Sequence, residues 1–270
     1  LKDDVKVVLQ GDGGDEIFCG YGRYKSLSYL PLWKSFGSIG KVIISFLPDT
    51  QRMSSLKRYL AAMTAENDTL RMSRLLTVEN PDQDITHIFQ DSLRSEIKKC
   101  DPFLRYWQIS KEINSTDPLR LMSLTDQQII LPDIFLEKVD RSTMAGSIEV
   151  RVPFLDHDLT EYILSLPRNQ LIRWGEKKWL LKKALRGVVP DFVLDGPKTG
   201  FGVPFQYWIK EPLKELLFDT LTDLENKGSK IINYDQISKL HTEHKNGTHD
   251  HGFLLWKTLN LAIWLRHNDL

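Results

Sequence analysis

The sequence predicts a mostly α fold with few strands, and three observations carry that expectation. Val5-Lys6-Val7-Val8-Leu9, closed by Gly11, is the one strong strand pattern in 270 residues. It is short, β-branched and apolar on both faces, like a buried strand of a parallel sheet. Against it stand about a dozen segments with helical periodicity or with helix start and stop residues. Finally, the chain has no internal repeat, and its other segments offer this strand no clear partners. A parallel-type strand needs neighbours on both edges and helices on both faces. The partner strands are therefore expected either to be hidden in weak patterns or to lie outside this chain.

Taken in order, Gly11 to Gly14 read as a loop after the strand, with a helix starting between Glu16 and Leu27. Helical patterns are scattered over 31–63. Residues 68–113 read as helices with solvated charged faces, broken at Pro81 and Pro102. Asp117-Pro118 supplies an N-cap with proline at the first helical position, starting a helix to about Ile130. Pro132 separates it from a second helix near 134–145. Residues 148–155 are extended and apolar but carry Arg151. Asp156 caps a short helix that stops before Pro167. Residues 177–186 form a helix ended by Gly187, with Pro190 beyond. A Gly/Pro loop spans 196–204, and helices near 212–224, 235–246 and 252–266 complete the pattern.

Composition excludes several classes. Lys plus Arg and Asp plus Glu number 36 each, so the basic excess that favours general nucleic-acid or membrane-surface binding is missing. Hydrophobic residues at 41% and charged residues at 27% suit an ordinary globular core of one large or two small domains. The apolar stretch Val42 to Leu47, interrupted only by Ser45, is far short of the roughly 20 residues of a membrane span. Cys19 and Cys100 have neither disulfide-framework nor zinc spacing, and a cytoplasmic setting is expected. The chain opens on Leu1 and runs almost directly into the strand pattern, which reads as a cut within something longer.

Four segments hold residues suited to chemistry. Gln10 to Glu16 lies at the carboxyl end of the strand, where open α/β sheets place ligands. Gly11, Gly13 and Gly14 let a backbone approach a phosphate, and Asp12 and Asp15 are hard oxygen ligands for Mg²⁺. The plainer alternative is a tight turn with Asp15 as an N-cap. In the second segment, Glu149 and Arg151 interrupt an apolar stretch. Such charges are costly unless paired or facing a site, so Arg151 either pairs internally with Glu149 or Asp140 or lines a pocket. In the third, Lys178, Lys182 and Arg186 recur every four positions, giving either a solvated basic face or a Lys178 aimed at phosphate. The fourth, Gly196 to Pro204, is a lid or a connector. His241, His244, His249 and His251 crowd one region but match no zinc spacing, and a solvated loop is expected there.

Together these segments resemble the synthetase half of the glutamine-hydrolysing asparagine synthetases. Gly11-Asp-Gly-Gly-Asp-Glu-Ile-Phe-Cys-Gly-Tyr21 is similar to the family's G-[DE]-G-x-D-E-x-F-x-G-Y. Asp140 to Asp156 is similar to D-R-x-S-M-A-x-x-x-E-x-R-V-P-F-L-D, Lys178 to Leu185 to K-x-x-L-[RK]-x-A-L, and Pro197 to Trp208 to P-K-x-G-F-G-V-P-x-x-x-W. Asp250 to Leu265 looks like the family's closing helix. The resemblance implies the C-terminal part, residues 1–270, of an adenine-nucleotide-hydrolase-like (ATP pyrophosphatase) α/β domain with few strands retained. The implied reaction uses ATP and Mg²⁺ to adenylate the β-carboxylate of aspartate. Glutamine-derived ammonia then gives asparagine, with AMP and pyrophosphate released.

By the same resemblance, Asp15 holds Mg²⁺, Asp12, Lys178 and Arg151 are catalytic, and Gly11, Gly13, Gly14 and Tyr21 bind nucleotide or substrate. Asp12 stands where the family often has Glu. The family's S-G-G-x-D-S pyrophosphate loop and its N-terminal glutaminase do not occur in this sequence. The chain is therefore expected to be a fragment inactive alone, with those segments as its natural partners and a homodimer admissible. The alternatives are a non-catalytic nucleotide-binding or interaction module, or a β-lactam-synthetase-like relative.

Overall fold

A computed structural model describes residues 3–35, 42, 46, 51–76, 84–197 and 202–269. It is mostly helical, with one two-stranded sheet among the described residues. The chain divides into two compact units, residues 1–37, 67–69 and 103–198, and residues 38–66, 70–102 and 199–270. None of the described helices is long and apolar enough to cross a membrane.

In the first unit, β1 (Val7–Leu9) pairs in parallel with β2 (Glu149–Arg151), setting Val7 opposite Glu149, Val8 opposite Val150 and Leu9 opposite Arg151. The extended, Arg-bearing segment thus supplies the strand's partner. The expectation of a buried strand is corrected, since Val7 is 47% and Leu9 74% exposed. These two side chains, two positions apart, share one face of the strand. Among the described residues no third strand pairs with β1, and this face stays exposed.

Helices Gly14–Ile17 and Gly22–Ser28 pack on helix Pro118–Gln128. Tyr24, Leu27, Leu119 and Met122 are buried in this layer. Asp117 caps the long helix as the sequence indicates, its Oδ1 accepting from Leu119 N at 3.1 Å. Pro132 does not break the chain path. It sits in a π-helical turn, Leu131–Leu136, that runs straight into helix Glu137–Met144. Proline lacks only its own N–H, and the neighbouring Asp133 N–H still reaches Ile129 O at 3.1 Å.

A second correction concerns residues 177–186. The helix is Trp179–Leu185, and Lys178 precedes it in a left-handed conformation, φ 54°. Lys178, Lys182 and Arg186 therefore do not form one basic face. Lys182 pairs with Glu176 at 3.0 Å, and Arg186 with Asp191 and Asp195 at 2.6 Å each. Gly187, φ 81°, ends the segment as expected.

The second unit is built on helices Lys214–Asn226, Tyr234–Asn246 and Gly252–His267. Its core gathers Ile209, Leu217, Leu221, Ile237, Leu240, Leu255, Leu259 and Ala262. The histidine-rich stretch is not a solvated loop. His241, His244 and His251 are buried, and only His249 is exposed. The His241 Nε2 lies 3.1 Å from Ile209 O and the His244 Nε2 2.9 Å from Gln206 O. Burial pulls both imidazoles below the ordinary histidine pKa, so they act as neutral donors to backbone carbonyls. Of the Gly/Pro loop, residues 198–201 lie outside the described residues.

Candidate functional site

The turn after β1 is shaped by glycine where nothing else fits. Gly13 adopts φ 84°, and a Cβ there would stand 2.3 Å from Leu155 Cδ2. A Cβ on Gly14 would touch Phe154 at 3.1 Å. Phe154 also stacks edge-on against Phe18, ring centroids 5.8 Å apart. The Pro-Phe-Leu-Asp part of the second segment thus clamps the glycine turn of the first. The side chain of Asp15 does not act as an N-cap, since Gly13 occupies that position without a side-chain cap.

Asp15 instead meets Lys178. Its Oδ1 lies 2.8 Å from the ammonium, with the two side chains 23% and 29% exposed. Gly20 is the reason this pair fits. A Cβ on Gly20 would fall 1.8 Å from Asp15 Oδ1 and 2.3 Å from Lys178 Cε. Gly20 N–H also donates to Asp15 O at 2.8 Å.

Asp12 is half-buried and accepts a hydrogen bond from Gln10 Nε2 at 2.8 Å. Gln10 N–H in turn donates to Arg151 O at 2.9 Å, which places Arg151 beside the turn at the carboxyl end of β2. The Arg151 guanidinium, 67% exposed, turns to Glu149 at 2.6 Å. Of the open readings, this is the Glu149 pair, made at the surface rather than internally. Gly11 is exposed at the rim of the turn.

Beneath the turn lies a polar network in which, of the residues assigned a role from the sequence, only Tyr21 takes part. Tyr21 donates to Glu16 Oε1 at 2.5 Å, and Glu16 is 2% exposed. Arg23 stacks its guanidinium over Tyr21, 4.0 Å from the ring centre. Arg23 Nε and Tyr24 Oη reach the fully buried Asp126 Oδ2 at 3.0 and 2.5 Å. Ser123 Oγ donates to Glu16 O at 2.8 Å. Burial raises the Glu16 carboxyl above its ordinary value, against the lowering effect of the Tyr21 hydrogen bond. Asp126 is likewise raised by burial, opposed first by Arg23. Burial also pushes the Cys19 thiol up to about 12, so it stays protonated. A signal for Asp126 existed. Leu119, Met122 and Asp126 recur at helical spacing, so a carboxylate stands on the buried stripe.

The arrangement defines a class: a parallel strand pair with a glycine-aspartate turn at its carboxyl end, a paired lysine beside it, and a helical body. The family match makes that class specific. Residues 1–266 match the family described as Asparagine synthase, and the chain belongs to that family. It is 29% identical to asparagine synthetase [glutamine-hydrolyzing] 1 of Bacillus subtilis, over 97% of this chain and 40% of the relative. It is also 29% identical to a putative asparagine synthetase [glutamine-hydrolyzing] of Mycobacterium tuberculosis, over 97% of this chain and 39% of the relative. A more distant relative is the amidase chyE of Penicillium rubens, 23% identical over 81% of this chain. The chain thus spans about 40% of the length of the asparagine synthetases it matches along almost all of its own length. No solved structure matches it at a significant level.

Proposed function

We propose that this chain is the C-terminal part of the synthetase domain of an ATP-dependent, amide-forming ligase of the asparagine synthetase type. In this reading it works joined to a glutaminase and a pyrophosphate-loop segment, in an ATP-pyrophosphatase-like α/β domain. ATP, aspartate and glutamine-derived ammonia are its substrates. Asparagine, AMP and pyrophosphate are its products.

The observation that carries the reading is the Asp15–Lys178 pair at 2.8 Å beside the glycine turn. Two residues far apart in sequence, each matching a position the family uses at its phosphates, meet at the end where parallel sheets receive ligands. Asp12 and Asp15 offer the one or two hard carboxylates that Mg²⁺ takes alongside substrate phosphates. Bound there, the ion would supply charge neutralisation for a pyrophosphate leaving group. Lys178, released from Asp15 toward the phosphates, would place a fixed positive charge where negative charge develops. In this reading Arg151 is a catalytic group of the site wall, and Gly11, Gly13, Gly14 and Tyr21 bind nucleotide or substrate.

The test is aspartate-dependent ATP–pyrophosphate exchange in the full-length protein that carries this chain. Lys178→Ala should lower the exchange rate by about 10²–10³-fold, the usual loss for one preorganised donor. Lys183→Ala should leave it unchanged, since the Lys183 ammonium packs over Trp179, 4.9 Å from its ring. Equal losses in both variants would replace the specific role of Lys178 with a general basic patch. The isolated 270-residue chain should show no exchange above a no-protein control. Exchange abolished there by Asp15→Ala would overturn its dependence on a pyrophosphate loop.

A further inference from the structure

One side-chain cluster in the second unit has no part in the ligase reading. Helix Tyr234–Asn246 ends at Gly247, which takes a left-handed conformation, φ 74°. Thr248 then folds back on the helix, its N–H and its Oγ1 both donating to Glu243 O, at 3.1 and 3.0 Å. The next residues run beside the last helical turn. His251 N–H donates to His244 Nδ1 at 3.3 Å, and Gly252 N–H to Asp250 Oδ1 at 3.1 Å, where helix Gly252–His267 begins. These backbone hydrogen bonds fix the connection without using the side chains of Glu243, His249 or His251.

Those three side chains converge all the same. One ligand atom of each lies within 4.8 Å of the others. The His251 Nε2 stands 2.8 Å from Glu243 Oε2, and the His249 Nδ1 3.8 Å from the same oxygen. The two imidazole rings are stacked, 5.7 Å between centroids. His251 is buried, Glu243 half-buried and His249 exposed, so the cluster is anchored on one side and open on the other.

We propose that Glu243, His249 and His251 form a binding site for a divalent transition-metal ion of the zinc type, clamping the connection between the last two helices. Two imidazoles and a carboxylate are a donor set that zinc accepts with a further position left for water. The softer nitrogen donors disfavour Mg²⁺, which asks for oxygen. Metal–ligand bonds of about 2.0–2.1 Å put tetrahedral ligand atoms roughly 3.3 Å apart. The Glu243–His251 separation must therefore open by about half an ångström and the Glu243–His249 separation close by as much, which side-chain rotation supplies. When a metal takes the lone pair of His251 Nε2, the neutral ring carries its proton on Nδ1, and the ion replaces the direct Glu243–His251 contact. Asp250, 3.5 Å from His244 Nδ1 and capping Gly252, steadies the loop from behind.

The test is calorimetric titration of ZnCl₂ into the chelator-stripped 270-residue chain, with circular dichroism to verify each variant's fold. One saturable equivalent is expected, with a rise in the thermal unfolding midpoint. MgCl₂ in its place should give no binding. Changes even to outer-shell partners of a metal site cost about 10–100-fold in affinity. His249→Ala, at an exposed position, and Glu243→Gln should therefore weaken zinc binding by at least ~100-fold. His267→Ala, exposed on the last helix, should not alter it. The absence of saturable zinc binding would overturn the proposal, and so would binding unchanged in both His249→Ala and Glu243→Gln. A loss of exchange activity in the Lys178 experiment bears on neither outcome.

Discussion

Gly20→Ala isolates what the glycine beside the candidate site does. Gly20 is outside the left-handed region, so alanine meets no backbone strain there. The obstacle is space. The new Cβ would stand 1.8 Å from Asp15 Oδ1, whereas real Cβ atoms essentially never come within 3.0 Å of another heavy atom. The carboxylate must withdraw by at least about 1.2 Å, which takes the 2.8 Å pair with Lys178 to roughly 4 Å, the limit of an ion pair. Overpacking of this kind costs about 1–3 kcal/mol. The reduced freedom of the unfolded chain returns about 0.4–1 kcal/mol. The ion pair itself, a quarter exposed, adds no more than about 1 kcal/mol. The expected net loss is therefore about 1–2 kcal/mol.

The assay is urea unfolding, followed by circular dichroism, of the wild type, Gly20→Ala, Lys178→Ala and the double variant. Lys178→Ala removes the Cε that the new Cβ would meet at 2.3 Å and vacates space for Asp15 to swing into. The cost of Gly20→Ala should then fall, giving a coupling energy above about 0.5 kcal/mol. Additive costs, within about 0.3–0.5 kcal/mol, would refute the reasoning that Gly20 exists to seat this pair.

Two further outcomes concern the network beneath the turn. Asp126→Ala leaves Arg23, whose side chain is 19% exposed, and the buried Tyr24 hydroxyl without their shared acceptor. Breaking a buried pair costs about 3–5 kcal/mol, and the low end is expected because Arg23 reaches some solvent. A loss below about 1 kcal/mol in the same unfolding assay would refute it. Glu16→Gln tests the raised carboxyl. A folded-state pKa above the ordinary 4.5 means Glu16 favours folding fully below 4.5 and loses that contribution as the pH rises through the raised value. The variant should thus gain stability relative to wild type on going from acid to neutral pH, and a relative loss would show that the fold favours the carboxylate.

The local signals in the sequence were those enforced by single residues or short range. Asp117-Pro118, Asp156 and Gly187 mark helix ends because a cap or a left-handed glycine acts within one turn of its own position. The glycine-aspartate turn after β1 was legible for the same reason, and the four ordered segments made the family legible. What the tertiary structure decided depends on partners distant along the chain. The pairing of Asp15 with Lys178 needs Gly20 between them and Lys178 in a left-handed conformation just before its helix, so spacing every four positions misread it as part of a helical face. Pro132 could pass through a helical path because a π turn leaves its neighbours bonded. The histidines read as solvated because polarity suggests water, yet the carbonyls of Ile209 and Gln206 accept their N–H groups inside the second unit. Burial of a polar side chain is decided by whether a partner waits in the interior, and that partner belongs to another segment of the chain.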